Sequence, residues 1–138
     1  MGLLADFWAR GKPKILAVDD DPSIRELVAF VLTERGYHVE TAEDGLQGLE
    51  KFKKGTFDLL ILDCRMPRLD GTQLLDAIRA TPEGRKQAVI MLSSENMLGP
   101  IYKSYELGII EWIPKPFSAE SLLAKVNAHL NAPKNTGT

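Results

Sequence analysis

The sequence predicts an α/β domain built on a five-stranded parallel sheet with helices on both faces. Three observations carry this. Short apolar runs of strand length alternate with stretches whose apolar residues recur at helical spacing. The links between them are short, as in strand–helix–strand units. Several of the apolar runs are continuous, as for strands buried on both faces. The 138 residues suffice for one domain with its own core. With 44% apolar and 26% charged residues, the chain has the balance of a globular protein.

Taken in order, residues 1–13 (MGLLADFWARGKP) form an N-terminal extension. Leu3, Leu4, Phe7 and Trp8 fit a short amphipathic helix, which either covers the domain's own surface or docks on a partner or a second copy. KILAV is the first strand. PSIRELVAFVLTERG follows as a helix, with Ile24, Leu27, Val28, Val31 and Leu32 on one face and Gly36 at its C-terminal cap. YHVETA is the second strand. Asp44 opens a helix carrying Leu46, Leu49 and Phe52, which closes near Gly55. FDLLILD is the third strand, and CRMPRLDG is a loop by its Pro, Asp and Gly content. TQLLDAIRAT is a helix and AVIMLSS a strand. ENMLGPIYKSYELG should hold a fourth helix that starts late because of Gly99-Pro100. IIEWI is the fifth strand. PKPF is a loop, and SAESLLAKVNAHL is a fifth helix capped by Ser118. The domain therefore spans 14–131, with 132–138 as a flexible tail.

The totals exclude several functions. A net charge of −2 leaves no basic excess for phosphate contacts, so no direct nucleic-acid binding is expected. Cys64 is the only cysteine, which rules out an internal disulfide and fits a reducing compartment. No apolar run spans a bilayer and no secretory signal opens the chain, so a cytoplasmic location without membrane contact is expected. His38 and His129 lie far apart in sequence, which argues against a histidine metal site.

The stretch LAVDDDPS places Asp19, Asp20 and Asp21 at the end of the first strand. They either favour the N-terminus of the following helix or hold a divalent cation. Ligands of such sheets bind beyond the carboxyl ends of the strands. Asp63 ends the third strand, Ser93 the fourth, and Lys115 follows the fifth. If these strands are neighbours, several acids, one hydroxyl and one ammonium share a cleft. An oxygen-rich set of this kind suits Mg²⁺. The ammonium and hydroxyl suit phosphate oxygens. Asp63, ending the central strand, is the candidate nucleophile for an aspartyl-phosphate. Taken singly, each residue is a turn former, a cap or a surface group; the conjunction carries the argument.

VDDDPSIR, ILDCRMPRLDG, MLSSE and PKPF, in this order and at these intervals, resemble the receiver domain of two-component response regulators. The resemblance implies a flavodoxin-like (βα)5 fold with strand order 2-1-3-4-5. It implies that Asp63 accepts a phosphoryl group from a sensor histidine kinase or a histidine phosphotransfer protein. Asp19 and Asp20, with Asp63 and the backbone carbonyl of Arg65, would hold Mg²⁺. Ser93 is similar to the switch hydroxyl, Lys115 to the lysine that pairs with the acyl phosphate, and Trp112 to the switch aromatic. Pro116 follows Lys115 in a bond that is typically cis in the family. Asp21 falls outside the acidic pair.

Some positions depart from the family pattern. Trp112 is larger than the usual Tyr or Phe, which restricts an inward swing. Tyr105 and Ile109 stand where small residues are common. Arg65 and Glu95 occupy places that affect hydrolytic water, and an ion pair between them would tune phosphoryl lifetime. The expected protein is a phosphoacceptor that catalyses only its own phosphorylation and dephosphorylation, read by an unknown downstream target, with a homodimer as a candidate assembly. No output domain follows residue 131 in this sequence, which fits a stand-alone receiver, a phosphorelay intermediate or a fragment of a longer regulator. Asp19-x-Asp21 followed by Ser23 also resembles the motif of a haloacid dehalogenase-like phosphatase. A receiver-like scaffold that is never phosphorylated is the third reading.

Overall fold

The computed structural model describes residues 11–94 and 108–130. The elements are β1 (Lys14–Val18), α1 (Pro22–Glu34), β2 (His38–Ala42), α2 (Gly45–Lys54) and β3 (Leu59–Asp63), followed by α3 (Gly71–Arg79), β4 (Val89–Ser93), β5 (Glu111–Pro114) and α4 (Ala119–His129). The five strands form one sheet in the order β2-β1-β3-β4-β5, every neighbouring pair parallel. The predicted fold class and strand order are thus observed. The N-terminal segment 1–10, the expected fourth helix with Gly99-Pro100 and Tyr105, and the tail 132–138 lie outside the described residues.

The helices divide between two faces. Val28 and Leu32 of α1 and Leu122 and Val126 of α4 pack with Ile15, Ile61 and Ile113 on one face. Phe52 of α2 and Leu74, Leu75 and Ile78 of α3 pack with Leu16, Leu60 and Met91 on the other. β3 and β4 are buried along their whole length, which explains why their sequences read as unbroken apolar runs. Leu46 is 52% exposed on α2, where Leu49 and Phe52 make the inward contacts. Fixed at the start of the helix by the Asp44 cap, position 46 rotates away from that stripe.

Local chemistry sets the helix ends. Asp21, Asp44, Asp70 and Ser118 cap α1, α2, α3 and α4, each accepting a backbone N–H of the first turn. Asp70, in the segment whose composition reads as a loop, makes the fullest of these caps. Its carboxylate takes the N–H of Gln73, while the Gln73 amide reaches back to the Asp70 N–H, a complete capping box. After α1, Gly36 takes φ 105°, and the N–H groups of Gly36 and Tyr37 return to the carbonyls of Thr33 and Leu32. This is the Schellman arrangement, and it requires a residue at ease with positive φ. The fifth strand is offset from IIEWI and runs through Pro114, although Ile110 already donates to the Val89 carbonyl at 2.9 Å.

Candidate functional site at the carboxyl edge of the sheet

Chain direction reverses its winding between β1 and β3: β1 continues through α1 on one face, and α2 leads into β3 on the other. The cleft lies beyond the carboxyl ends of these two strands, as the topology of such sheets requires. Asp19 and Asp63 enter it almost wholly buried, Ser93 is buried beside them, and Asp20 is exposed. Lys115 closes the group. Its ammonium lies 3.0 Å from Asp19 Oδ2 and 3.1 Å from Asp63 Oδ1. Carboxylate oxygens of Asp19, Asp20 and Asp63 come within 4.8 Å of one another.

The three consecutive acids have separate fates. Asp21 turns away and caps α1, its carboxylate accepting from Ser23 at 2.9 Å. Asp19 Oδ1 accepts the Asp21 N–H at 2.9 Å, which aims Oδ2 into the cleft. The helix-cap answer to the acid triplet thus applies to Asp21, while Asp19 and Asp20 stay in the acidic cluster with Asp63. The phosphatase alternative needed Asp19 and Asp21 in one site with Ser23; here Asp21 and Ser23 are paired in the helix cap.

Lys115 is placed by its backbone as well as its charge. Its N–H donates to the Ser93 carbonyl at 2.6 Å, and the Lys115–Pro116 bond is cis, as the resemblance implied. Ser93 Oγ donates to the Ser94 carbonyl at 3.0 Å. Trp112 packs its ring against the α2–α3 face, and its Nε1 is buried with no hydrogen-bond partner among the described residues. Arg65 is exposed in the loop after β3 and lines a groove with Asp20, Cys64 and Asp70. Glu95 lies outside the described residues, so the expected Arg65–Glu95 pair does too.

Two details of this loop carried no signal in the sequence reading. Arg68 takes φ 71°, the left-handed region, and its guanidinium sits 3.6 Å from the Asp44 carboxylate. Gly71 presses on the strand end: a Cβ there would lie 2.3 Å from the Asp63 carbonyl oxygen.

The electrostatics follow from burial. Loss of water, then the neighbouring Asp19 charge, push the Asp63 carboxyl up to about 7, against the opposing pull of Lys115. Burial works against the Lys115 ammonium, but Asp19 and Asp63 more than offset it and its pKa is raised. Burial first, then Asp70 and Asp63, push the Cys64 thiol up to about 11, so it is a packing residue rather than a nucleophile.

The donor set fits a hard divalent cation. Asp19 Oδ2 is buried in the cleft and faces the Lys115 ammonium at 3.0 Å. An all-oxygen cluster of three carboxylates, open to water on the Asp20 side, can hold Mg²⁺.

A buried carboxylate ending a central parallel strand, flanked by two acids, a hydroxyl and an ammonium, defines a receiver module. The sequence model of the response regulator receiver domain matches residues 15–127, and the chain belongs to this family. The family consists of phosphorylation-dependent signalling switches, whose members work with histidine kinases and downstream targets. Response regulator MprA of Mycobacterium leprae is 37% identical over 121 residues, 88% of this chain and 52% of that protein. The chain thus spans about half the length of the curated relatives it matches. The chemotaxis protein CheY4 of Vibrio cholerae superposes with a TM-score of 0.82 at 36% identity, covering 86% of this chain and 99% of that one. The receiver domain of the Pseudomonas aeruginosa sensor histidine kinase PA1611, which has a magnesium ion in its active-site cleft, gives 0.77 at 28% identity, covering 86% and 97%. Among the described residues, no helix is long and apolar enough to cross a membrane.

Proposed function

We propose that Asp63 accepts a phosphoryl group from a phosphohistidine on a sensor kinase or phosphotransfer protein. The observation that carries this is Lys115, set within 3.1 Å of both Asp19 and Asp63 at the mouth of the acidic cleft. A carboxylate oxygen of Asp63 attacks phosphorus, the P–N bond to the donor imidazole breaks, and the imidazole leaves with the bond's electron pair and takes a proton. Asp19, Asp20, Asp63 and the Arg65 carbonyl would hold Mg²⁺, which supplies charge neutralisation for the transferring group. The remaining work belongs to the chain. Lys115 pairs with phosphoryl oxygens as a point charge. Ser93 exchanges its bond to the Ser94 carbonyl for one to the phosphoryl group. Trp112, in β5 beside the strand that carries Ser93, would couple that movement to the surface read by a downstream protein, over a swing its size restricts.

The test is mass measurement after incubation with Mg²⁺ and a small acyl phosphate. The wild type should gain the mass of one phosphoryl group, and Asp63→Asn none. No gain in the wild type would leave the unphosphorylated scaffold as the reading. Repeated turnover of a phosphate ester would restore the phosphatase.

A further inference from the structure

The first turn of α1 holds a charge of the wrong sign. Helix N-termini favour anions, and a cation there costs about 0.3–1 kcal/mol against the helix dipole. Yet α1 has no acid in its first turn and carries Arg25 at its fourth position. The structure shows what offsets this. Arg25 folds back over the helix start, and its Nη1 donates to the Asp19 carbonyl at 2.7 Å.

That carbonyl is at the point where the sheet stops supplying partners. The last β1–β3 pair is Val18 with Leu62. The Asp19 N–H still reaches the Ala42 carbonyl at 3.1 Å, but its own carbonyl lies past the ladder. A charge-assisted bond from Arg25 takes the place of a strand neighbour. Asp19 is then held at its N–H, its carbonyl and both carboxylate oxygens. Fixing the Asp19–Asp20 peptide also fixes the direction in which Asp20, otherwise exposed, projects its carboxylate.

We infer that Arg25 is a positioning residue for the cation site, setting the orientation of the Asp19–Asp20 peptide from outside the ligand set. The inference rests on the proposed Mg²⁺ site. Partners that orient metal ligands typically change affinity 10–100-fold when removed. Simple charge repulsion predicts the opposite: deleting a nearby cation would tighten Mg²⁺ binding.

The experiment is an Mg²⁺ titration of the metal-free chain followed by ¹H–¹⁵N resonances, in wild type, Arg25→Met, Arg25→Gln and Val31→Ala. Val31 packs against the core on the same helix, away from the loop. Arg25→Met should raise the Kd about tenfold. Arg25→Gln, too short to reach the carbonyl, should do the same and serves if the Met variant fails to fold. Val31→Ala should lower Tm yet keep the Kd within about twofold of wild type. An unchanged or tighter Kd in the Arg25 variants overturns the inference. So does an equal loss in Val31→Ala, which would reduce Arg25 to a contributor to helix stability. Absence of Mg²⁺ binding in the wild type would instead overturn the proposed site.

Discussion

Asp19, Asp20 and Asp21 are chemically identical neighbours, and backbone direction alone gives them different work. Asp21 caps α1, Asp19 is locked between a backbone N–H and an ammonium, and Asp20 faces water. The sequence announced the cluster and, through the family resemblance, the roles proposed for Asp19 and Asp20. It left Arg25 unremarked, although a cation in a first helical turn is a legible signal that a tertiary partner exists. At Asp63 burial of the carboxylate costs the folded protein stability. Its folded carboxyl titrates near 7 against a usual value of 3.8, so between these values the folded state binds more protons than the unfolded. Stability from this group is complete below the unfolded value and is lost as pH rises through about 7. Without divalent cation, Asp63→Asn should therefore raise Tm by about 5 °C at pH 8, with the gain vanishing toward pH 4. Differential scanning calorimetry in chelator checks this, and a constant gain across the range would contradict it.

At the scale of elements, the apolar runs located all five strands, and Asp44 and Ser118 located the starts of α2 and α4, whereas the cap at Asp70 passed for a turn residue. Boundaries moved by one or two residues because frayed ends obey local hydrogen bonding rather than apolar pattern. What the pattern could not convey was how closely elements approach. The start of α3 lies directly on the end of β3, with Gly71 N–H bonded to the Cys64 carbonyl at 3.0 Å. A methyl at Gly71 would meet the Asp63 backbone and must displace the loop that carries Arg65. Gly71→Ala should cost about 1–3 kcal/mol. It should also slow labelling of Asp63 in protein that is still folded, measured by urea denaturation alongside timed mass spectra. A stable variant with normal labelling would show that the contact is loose.

Across the whole molecule, the sheet order made the sequence argument work: four strand ends had to be neighbours for the chemistry to converge, and they are. The sequence alone conveyed neither the left-handed turn at Arg68 nor its pairing with Asp44, since both depend on how loops from different crossovers meet. Each face of the sheet carries its own apolar layer, and both rest on β3. Ile61, fully buried at the middle of β3, touches the α1–α4 side. Ile61→Ala should cost about 3 kcal/mol through the cavity it leaves. Labelling and folded fraction should fall together in urea; separation of the two curves would mean the edge of the sheet melts independently.

Lys115 reaches the cleft from the outermost strand, across β4 and β3, to meet Asp19. A chain in which β1 and β3 have paired but β5 has not yet added holds its acids with no ammonium among them. Under the proposed phosphoacceptor role, such a half-made or clipped molecule would lack the ammonium that pairs with phosphoryl oxygens. Full uptake of phosphoryl would then follow only on completion of the sheet.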